Sequence, residues 1–158
     1  IMSTIYLSQD GYDNLKTELK NLKSLDRPRV INQISEARDK GDLSENAEYD
    51  AAKEAQGLLE ARIAKLENDV ANARVLDHED MDTSTVHLLT KATIKNIAND
   101  MEMTYAIVSE AEADLSAKKI SVTSPIGRGL LGKAVGDIAD IEVPNGIIHF
   151  KIIKITTL

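Results

Sequence analysis

"KGDLSENAEYD", residues 40–50, separates two long stretches with helical spacing and decides how they are joined. It holds a single glycine and a run of polar and acidic side chains that includes Asp42, Glu45 and Glu48. A turn between two helices needs only a glycine and a capping residue. The surplus of carboxylates therefore calls for a reason beyond reversing the chain.

Apolar side chains recur at helical spacing on both sides of this turn, which predicts two helices with one apolar face each. The first set is Leu15, Leu19, Leu22, Leu25, Val30, Ile34 and Ala37, and the second is Ala51, Ala55, Leu59, Ile63, Leu66, Val70 and Ala73. The sets match in antiparallel order, with Leu22 opposite Leu66 and Ala37 opposite Ala51. We therefore predict an intramolecular coiled-coil hairpin in a monomer, with a parallel dimer as the alternative.

Two residues predict where the first helix begins and where it is interrupted. Ser8 is a plausible N-cap, because its hydroxyl can accept from the first turn. Pro28 interrupts the apolar face and predicts a kink or short break, since proline lacks the backbone donor.

About 30 residues per helix at 1.5 Å each give an arm of roughly 45 Å. An ordinary domain has little use for so long an arm unless its end reaches a partner.

After a linker at residues 77–85 the pattern changes to short strands. "KATIKNI", "MTYAIV", "KISVTS", "IADIEV" and "IIHFKIIKI" read as strands, the last two joined by a turn at residues 144–146. Ser124, Pro125 and Gly132 suit the N-cap, first residue and C-cap of a short helix. We predict an α+β protein with a hairpin domain at 1–77 and an antiparallel-sheet domain at 78–158.

Composition excludes several classes of protein. The chain has no cysteine, so disulfides and thiolate metal sites are ruled out. No apolar run reaches the length of a membrane span, and we expect a cytoplasmic protein without membrane contact. The net charge of −7 argues against wrapping duplex DNA, whose affinity for proteins comes from many cationic contacts to phosphate.

The turn itself has plain structural explanations. Asp42 and Glu45 have the spacing of a capping box, and acidic groups at a helix N-terminus are stabilised by its dipole. A hairpin end is also exposed and should be polar. Neither explanation accounts for the length of the arm, so both stay open beside a functional role.

Two segments carry a resemblance to a known family. "EARDKGDLSENAEYDAAKEAQGLLEARI" (residues 36–63) and "ISVTSPIGRGLLGKAVGD" (residues 120–137) resemble the two signatures of the bacterial Gre transcript-cleavage factors, and the first is most like the A type. The likeness runs from about Ser8 to the C-terminus. It implies a coiled-coil hairpin followed by a domain similar to FK506-binding isomerases (FKBP-like).

The resemblance implies a role beside bacterial RNA polymerase. The globular domain would dock at the secondary channel, and the hairpin would enter it to help the polymerase's active site cleave backtracked RNA. The implied catalytic carboxylates are Asp42 and Glu45, which would share Mg²⁺ with the polymerase. The implied contacts to the extruded 3′ RNA are Arg38 and Lys53. The protein would then not be an enzyme by itself.

The second signature implies a docking surface for polymerase. The residues assigned to it are Ser124, Pro125, Ile126, Glu112 and Asp114. The alternative functions are a related channel inhibitor, a prolyl isomerase with a coiled-coil arm and a plain coiled-coil adaptor. An isomerase pocket is usually rich in aromatics, and the C-terminal half offers only Tyr105 and Phe150. The three histidines (His78, His87 and His149) have no metal-ligand spacing.

Overall fold

The computed structural model describes residues 4–41, 46–77 and 81–158. Tyr12–Ala73 form one compact unit, and Arg74–Leu158 form another together with the N-terminal segment up to Gly11. The first unit thus ends at Ala73, four residues before the predicted boundary at residue 77, and the N-terminal segment joins the second unit. The reason is a two-stranded sheet in which β1 (Ile5–Leu7) pairs with β2 (Ala73–Val75).

The first helical stretch consists of α1 (Gln9–Asn21), a π-helical turn (Leu22–Asp26) and α2 (Arg27–Asp39). Ser8 caps α1 as predicted, since its Oγ accepts from the Gly11 amide at 3.0 Å. The expected break at Pro28 is instead this wider turn, which ends just before the proline. A π-helical turn holds one residue more than an α-helical turn and so rotates the side chains that follow it around the helix axis. Leu25 is 65% exposed, so its predicted place in the apolar face is wrong.

The second helix, α3 (Ala47–Ala71), packs antiparallel against α2 and confirms the hairpin. Buried Val30 and Ile34 contact Ala52, with Tyr49 and Leu59 at the margin. The predicted partner Ala51 is exposed. Its neighbour Ala52 is buried in its place, because one residue turns a helix by about 100°, whereas Ile63 and Leu66 are buried as predicted.

Ion pairs between the two helical stretches reinforce the hairpin. The Arg27 guanidinium donates from two nitrogens to Glu60 at 2.8 and 2.9 Å, and this bidentate contact lowers the pKa of Glu60. Lys23 pairs with Glu67 at 2.6 Å. A carboxylate with a lowered pKa stabilises the fold above its ordinary pKa and loses that contribution as the pH falls. The Arg27–Glu60 contact should therefore weaken in acid.

The second unit is built on a five-stranded sheet with the order β5-β4-β3-β7-β6. Its strands are β3 (Thr90–Asn96), β4 (Glu102–Val108), β5 (Lys119–Ser121), β6 (Ile138–Val143) and β7 (Gly146–Thr157). All neighbours are antiparallel except β4 and β5, which are parallel. The predicted antiparallel sheet is therefore corrected to a mixed one. Residues 109–118 form the crossover that joins the parallel strands β4 and β5.

One face of this sheet forms the core with the short helix α4 (Pro125–Leu130). Leu130 packs there among buried strand residues such as Ile94, Ile107 and Ile152. Ser124 caps α4 as predicted, accepting from the Gly127 amide at 3.1 Å. The C-cap is Leu131, and Gly132 follows it at φ 78°. Across the three described ranges, no helix is long and apolar enough to span a membrane.

Candidate functional site at the end of the hairpin

Asn46 organises the end of the hairpin. Its Oδ1 accepts from the Tyr49 amide at 3.1 Å and caps α3. Its Nδ2 donates to the carbonyl of Ala37 at 2.6 Å, which satisfies an acceptor near the end of α2. One side chain thus joins the start of one helix to the end of the other. Asp42 and Glu45 lie outside the described residues.

Removing the Asn46 side chain should loosen this junction. Asn46→Ala loses both hydrogen bonds, and we expect the free energy of unfolding to fall by about 1–2 kcal/mol. Asn46→Asp keeps the acceptor for Tyr49 but loses the donor, so its stability should be intermediate. Urea denaturation of the full chain measures both. An Asn46→Ala protein as stable as the parent would contradict the role of this junction.

Lys40 and Glu48 form an ion pair across the turn at 2.9 Å. The hydrogen bond that Lys40 donates to Glu48 raises the pKa of Lys40, with a further electrostatic contribution from the same carboxylate. Both side chains are largely exposed, so the pair contributes little stability. Glu48 is thereby engaged within the hairpin, in agreement with a structural role at its end. Gly41 has φ 138°, a conformation that other residues rarely adopt.

Arg38 and Lys53 line one depression of about 340 Å³ on the hairpin. They are far apart in the sequence and lie on different helices, yet the antiparallel pairing brings them together. Its other lining residues are Ile31, Ile34, Ser35 and Gln56. The Lys53 ammonium donates to the Gln56 side chain at 3.0 Å, which orients it. Two cations beside hydrogen-bonding side chains suit a phosphate group.

Another depression, of about 330 Å³, uses different residues of the same two helices. It is lined by Gln33, Glu36, Ala37, Lys40, Glu48, Ala51, Ala52 and Ala55. Its small apolar side chains and its two carboxylates give no comparable site for an anion. Of these two depressions, the one that carries Arg38 and Lys53 is therefore the better site for an anion.

The residues assigned to docking divide into exposed and internal groups. Pro125 is exposed at the start of α4, whereas Ile126 packs partly against the core. Ser124 also donates to the carbonyl of Ser121 at 2.6 Å. Asp114 is exposed, and its hydrogen bond from Ser116 lowers the pKa of its carboxyl. Pro125 and Asp114 are thus the most accessible of this set.

Glu112 does not fit the docking assignment. Only 8% of the residue is exposed, and its Oε1 accepts from the hydroxyl of Ser8 and from the Ser8 amide at 3.3 Å. The contact ties the N-terminal segment to the second unit. Gly11 makes room for it, because a Cβ there would lie 1.6 Å from Glu112 Oε1. The assignment of Glu112 to a surface is therefore corrected.

The described histidines take part in local contacts. His87 lies between the carbonyls of Asp82 and Leu88, and His149 contacts Asp140 at 2.5 Å. His78 lies outside the described residues. Within the described ranges, no group of three or more histidine and carboxylate side chains is placed to hold a metal ion.

The two units correspond to two known sequence families. Residues 5–75 match the family model described as "Transcription elongation factor, N-terminal", and residues 81–157 match "Transcription elongation factor, GreA/GreB, C-term". Together the matches span nearly the whole chain. The chain belongs to the GreA/GreB family of bacterial transcription elongation factors.

Individual relatives agree with this membership. The chain is 62% identical over 151 residues to transcription elongation factor GreA of Flavobacterium johnsoniae, covering 96% of each chain. It is 58% identical over 156 residues to the factor of the same name from Flavobacterium psychrophilum, covering 98% of this chain and 99% of that one. A solved structure of GreA factor homolog 1 (Gfh1) from Thermus thermophilus is 26% identical, with the match covering 96% of this chain and 98% of that one at a TM-score of 0.46.

Proposed function

We propose that this protein binds bacterial RNA polymerase and stimulates the polymerase's own cleavage of backtracked RNA. Family membership makes it a transcription elongation factor. The observation that carries the finer proposal is the pairing of Arg38 and Lys53 in one depression near the acidic turn. A cationic site beside a group of carboxylates suits a factor that holds an RNA phosphate while acidic groups act on a neighbouring bond.

Asp42 and Glu45 are the proposed catalytic residues. They supply the hard oxygen ligands that Mg²⁺ prefers, and this ion is commonly held by one or two protein carboxylates beside substrate and water. When bound in the polymerase, Mg²⁺ activates water and stabilises the leaving oxygen. Two carboxylates are too few for a tight site. The protein is therefore proposed to be inactive toward RNA alone and to complete a site in the polymerase.

The surroundings of the turn support this assignment. Asn46 caps α3, and Lys40 is paired with Glu48. The N-cap of α3 is thus Asn46, so the capping role that the spacing of Asp42 and Glu45 suggested belongs to another residue. The depression holding Arg38 and Lys53 would steady the RNA phosphate that the two acids otherwise repel.

Removing both cations should weaken cleavage without preventing polymerase binding. We expect Arg38→Ala with Lys53→Ala to reduce the cleavage rate roughly tenfold, because two contacts to phosphate are lost. A backtracked polymerase carrying end-labelled RNA provides the measurement. Lys16→Ala with Lys20→Ala, which removes equal charge from α1, is the control. Unaltered cleavage by the Arg38/Lys53 double variant would show that both residues are solvated surface cations without a role in cleavage.

The competing functions make different predictions in the same assay. A channel inhibitor would slow RNA synthesis and leave the backtracked RNA intact. A prolyl isomerase would turn over a proline-containing tetrapeptide without polymerase, yet Tyr105 and Phe150 are both buried in the sheet core. Shortened RNA that appears only when factor and polymerase are combined supports the proposal.

A further inference from the structure

The outward face of the sheet, opposite the core, carries an unusual concentration of lysines. Five of the eight Lys and Arg residues that follow Asp77 lie on it. We call them the lysine strip: Lys91 and Lys95 on β3, Lys151 and Lys154 on β7, and Lys119 on β5. Their neighbours along each strand, such as Ala92, Ile94, Ile152 and Ile155, point into the core.

The strand register places these lysines close to one another. Lys95 is the direct partner of Lys151, and Thr93 is the partner of Lys154. Lys91 and Lys119 both pair with Ala106 from opposite sides, and they line a common depression of about 290 Å³. Like charges directly opposite each other destabilise a sheet. The Lys95–Lys151 pair is therefore unfavourable in itself, although Glu102 is the partner of Lys95 on its other side, and a binding partner of opposite charge would offset the remaining repulsion.

Acidic groups within the described chain neutralise only part of the strip. Lys95 lies 3.5 Å from Asp100 and pairs with Glu102 across the strands, and Lys119 acts electrostatically on Asp114. Asp10 lines the depression that Lys91 and Lys119 share. Lys151 and Lys154 have no ion-pair partner among the described residues. Lys91, Lys151 and Lys154 are exposed. Apolar residues including Leu76 and Met81 cover only the end of this face that holds Ala106 and Val108. The part of the face that carries Lys151 and Lys154 lies beyond this end.

We infer that the lysine strip is a second docking surface, which binds an acidic segment of RNA polymerase. The strip is narrow, because acidic Glu102 lies beside it on β4, and Asp140 and Glu142 lie beside it on β6. From Lys91 to Lys95 it extends about 13 Å along the strand. Those dimensions suit three carboxylates spaced by one helical turn each. This inference rests on the proposed binding of polymerase.

Nucleic acid fits the same face less well. The aromatic side chains of the sheet, Tyr105 and Phe150, are buried in the core and offer no surface on which bases can stack. Binding to duplex nucleic acid depends on many cationic contacts to phosphate, and five lysines bordered by carboxylates are too few for it. The hydroxyls of Thr93 and Thr104, which lie 2.9 Å apart beside the strip, add hydrogen-bonding groups for carboxylates.

Charge reversal on β7 tests the inference in the full-length protein. Lys151→Glu with Lys154→Glu should weaken binding to core polymerase at least about tenfold and flatten its salt dependence. The fold should not suffer, because Lys151→Glu places opposite charges across from each other at Lys95. Lys20→Glu with Lys118→Glu makes the same change in net charge elsewhere and should bind almost normally. Circular dichroism on heating verifies that both variants are folded.

Two further measurements separate the alternatives. Poly-glutamate should bind the parent protein and not the β7 variant, whereas a short single-stranded RNA should bind neither. Unchanged polymerase affinity in the folded β7 variant overturns the inference, and so does a strip-dependent preference for RNA over poly-glutamate. A parent protein that never binds polymerase would contradict the proposed function instead, and strip-dependent binding of poly-glutamate would still support an acidic partner.

Discussion

Replacing Asp42 by Asn or Glu45 by Gln should abolish nearly all stimulated RNA cleavage. Both changes keep the size of the side chain but remove the charge that a Mg²⁺ ligand supplies. We expect the rate to fall at least about 100-fold, which corresponds to a barrier higher by about 2.7 kcal/mol. Cleavage of labelled RNA in a backtracked polymerase measures the loss. Added Mg²⁺ should restore part of it, since mass action refills a weakened site.

The same variants should keep their fold and their affinity for polymerase. Because Asn46 caps α3, neither change removes that cap, and we expect the free energy of unfolding to change by less than about 1 kcal/mol. Each variant should compete with the parent factor for polymerase. Asp39→Asn, an equal loss of charge at the end of α2, is the matched control and should cleave normally. Near-normal cleavage by a folded Asp42→Asn protein would refute the catalytic assignment.

Gly127→Ala should destabilise the second unit strongly. A Cβ at this position would lie 2.2 Å from the Ser121 carbonyl oxygen and 3.0 Å from Ser124 Oγ, so α4 would have to move. We expect the free energy of unfolding to fall by about 3 kcal/mol, at the upper end of the usual cost of overpacking. Displacing α4 should also weaken polymerase binding if Pro125 belongs to the docking surface. Urea denaturation and a binding titration measure the two effects.

The same substitution elsewhere in the chain provides the control. Gly57 is exposed in the middle of α3, and a Cβ there would meet nothing within 4 Å. Gly57→Ala should therefore stabilise the helix by about 0.5–1 kcal/mol, because alanine loses less conformational freedom on folding. The two glycine variants should thus change stability in opposite directions. If Gly127→Ala is as stable as the parent, the close approach of Ser121 does not restrict this position.

The helices and long strands can be predicted from the sequence because the apolar pattern of each repeats over many residues. The hairpin needs only two matching apolar faces, and the β6–β7 pairing needs only a turn between alternating segments. Short elements carry no such signal. Strands β1 and β2 have three residues each, too few to establish a period. Their pairing is nevertheless what joins the N-terminal segment to the second unit.

Local departures from ideal geometry are equally hard to predict. Pro28 shows that the helix must adapt, but the sequence does not say whether by a kink or by a π-helical turn. The π-helical turn shifts the side chains that follow it around the helix axis, and Leu25 within the turn is exposed. At the turn, Asp42 and Asn46 are both good capping residues, and only the structure shows that Asn46 caps α3. Arg38 and Lys53 were assigned by family likeness, and the antiparallel pairing explains why they meet.

The contact between Ser8 and Glu112 has a consequence for the order of synthesis and folding. The two residues are 104 positions apart, and β1 belongs to the unit whose last strand ends at Thr157. On the ribosome, the helical hairpin can form from local contacts while most of that unit is still unmade. The segment around Ser8 must then wait for partners that are made about 100 residues later. Until β7 is released, β1 and the segment around Ser8 lack part of their final partners, and this interval is when the nascent chain is most open to chaperones and proteases.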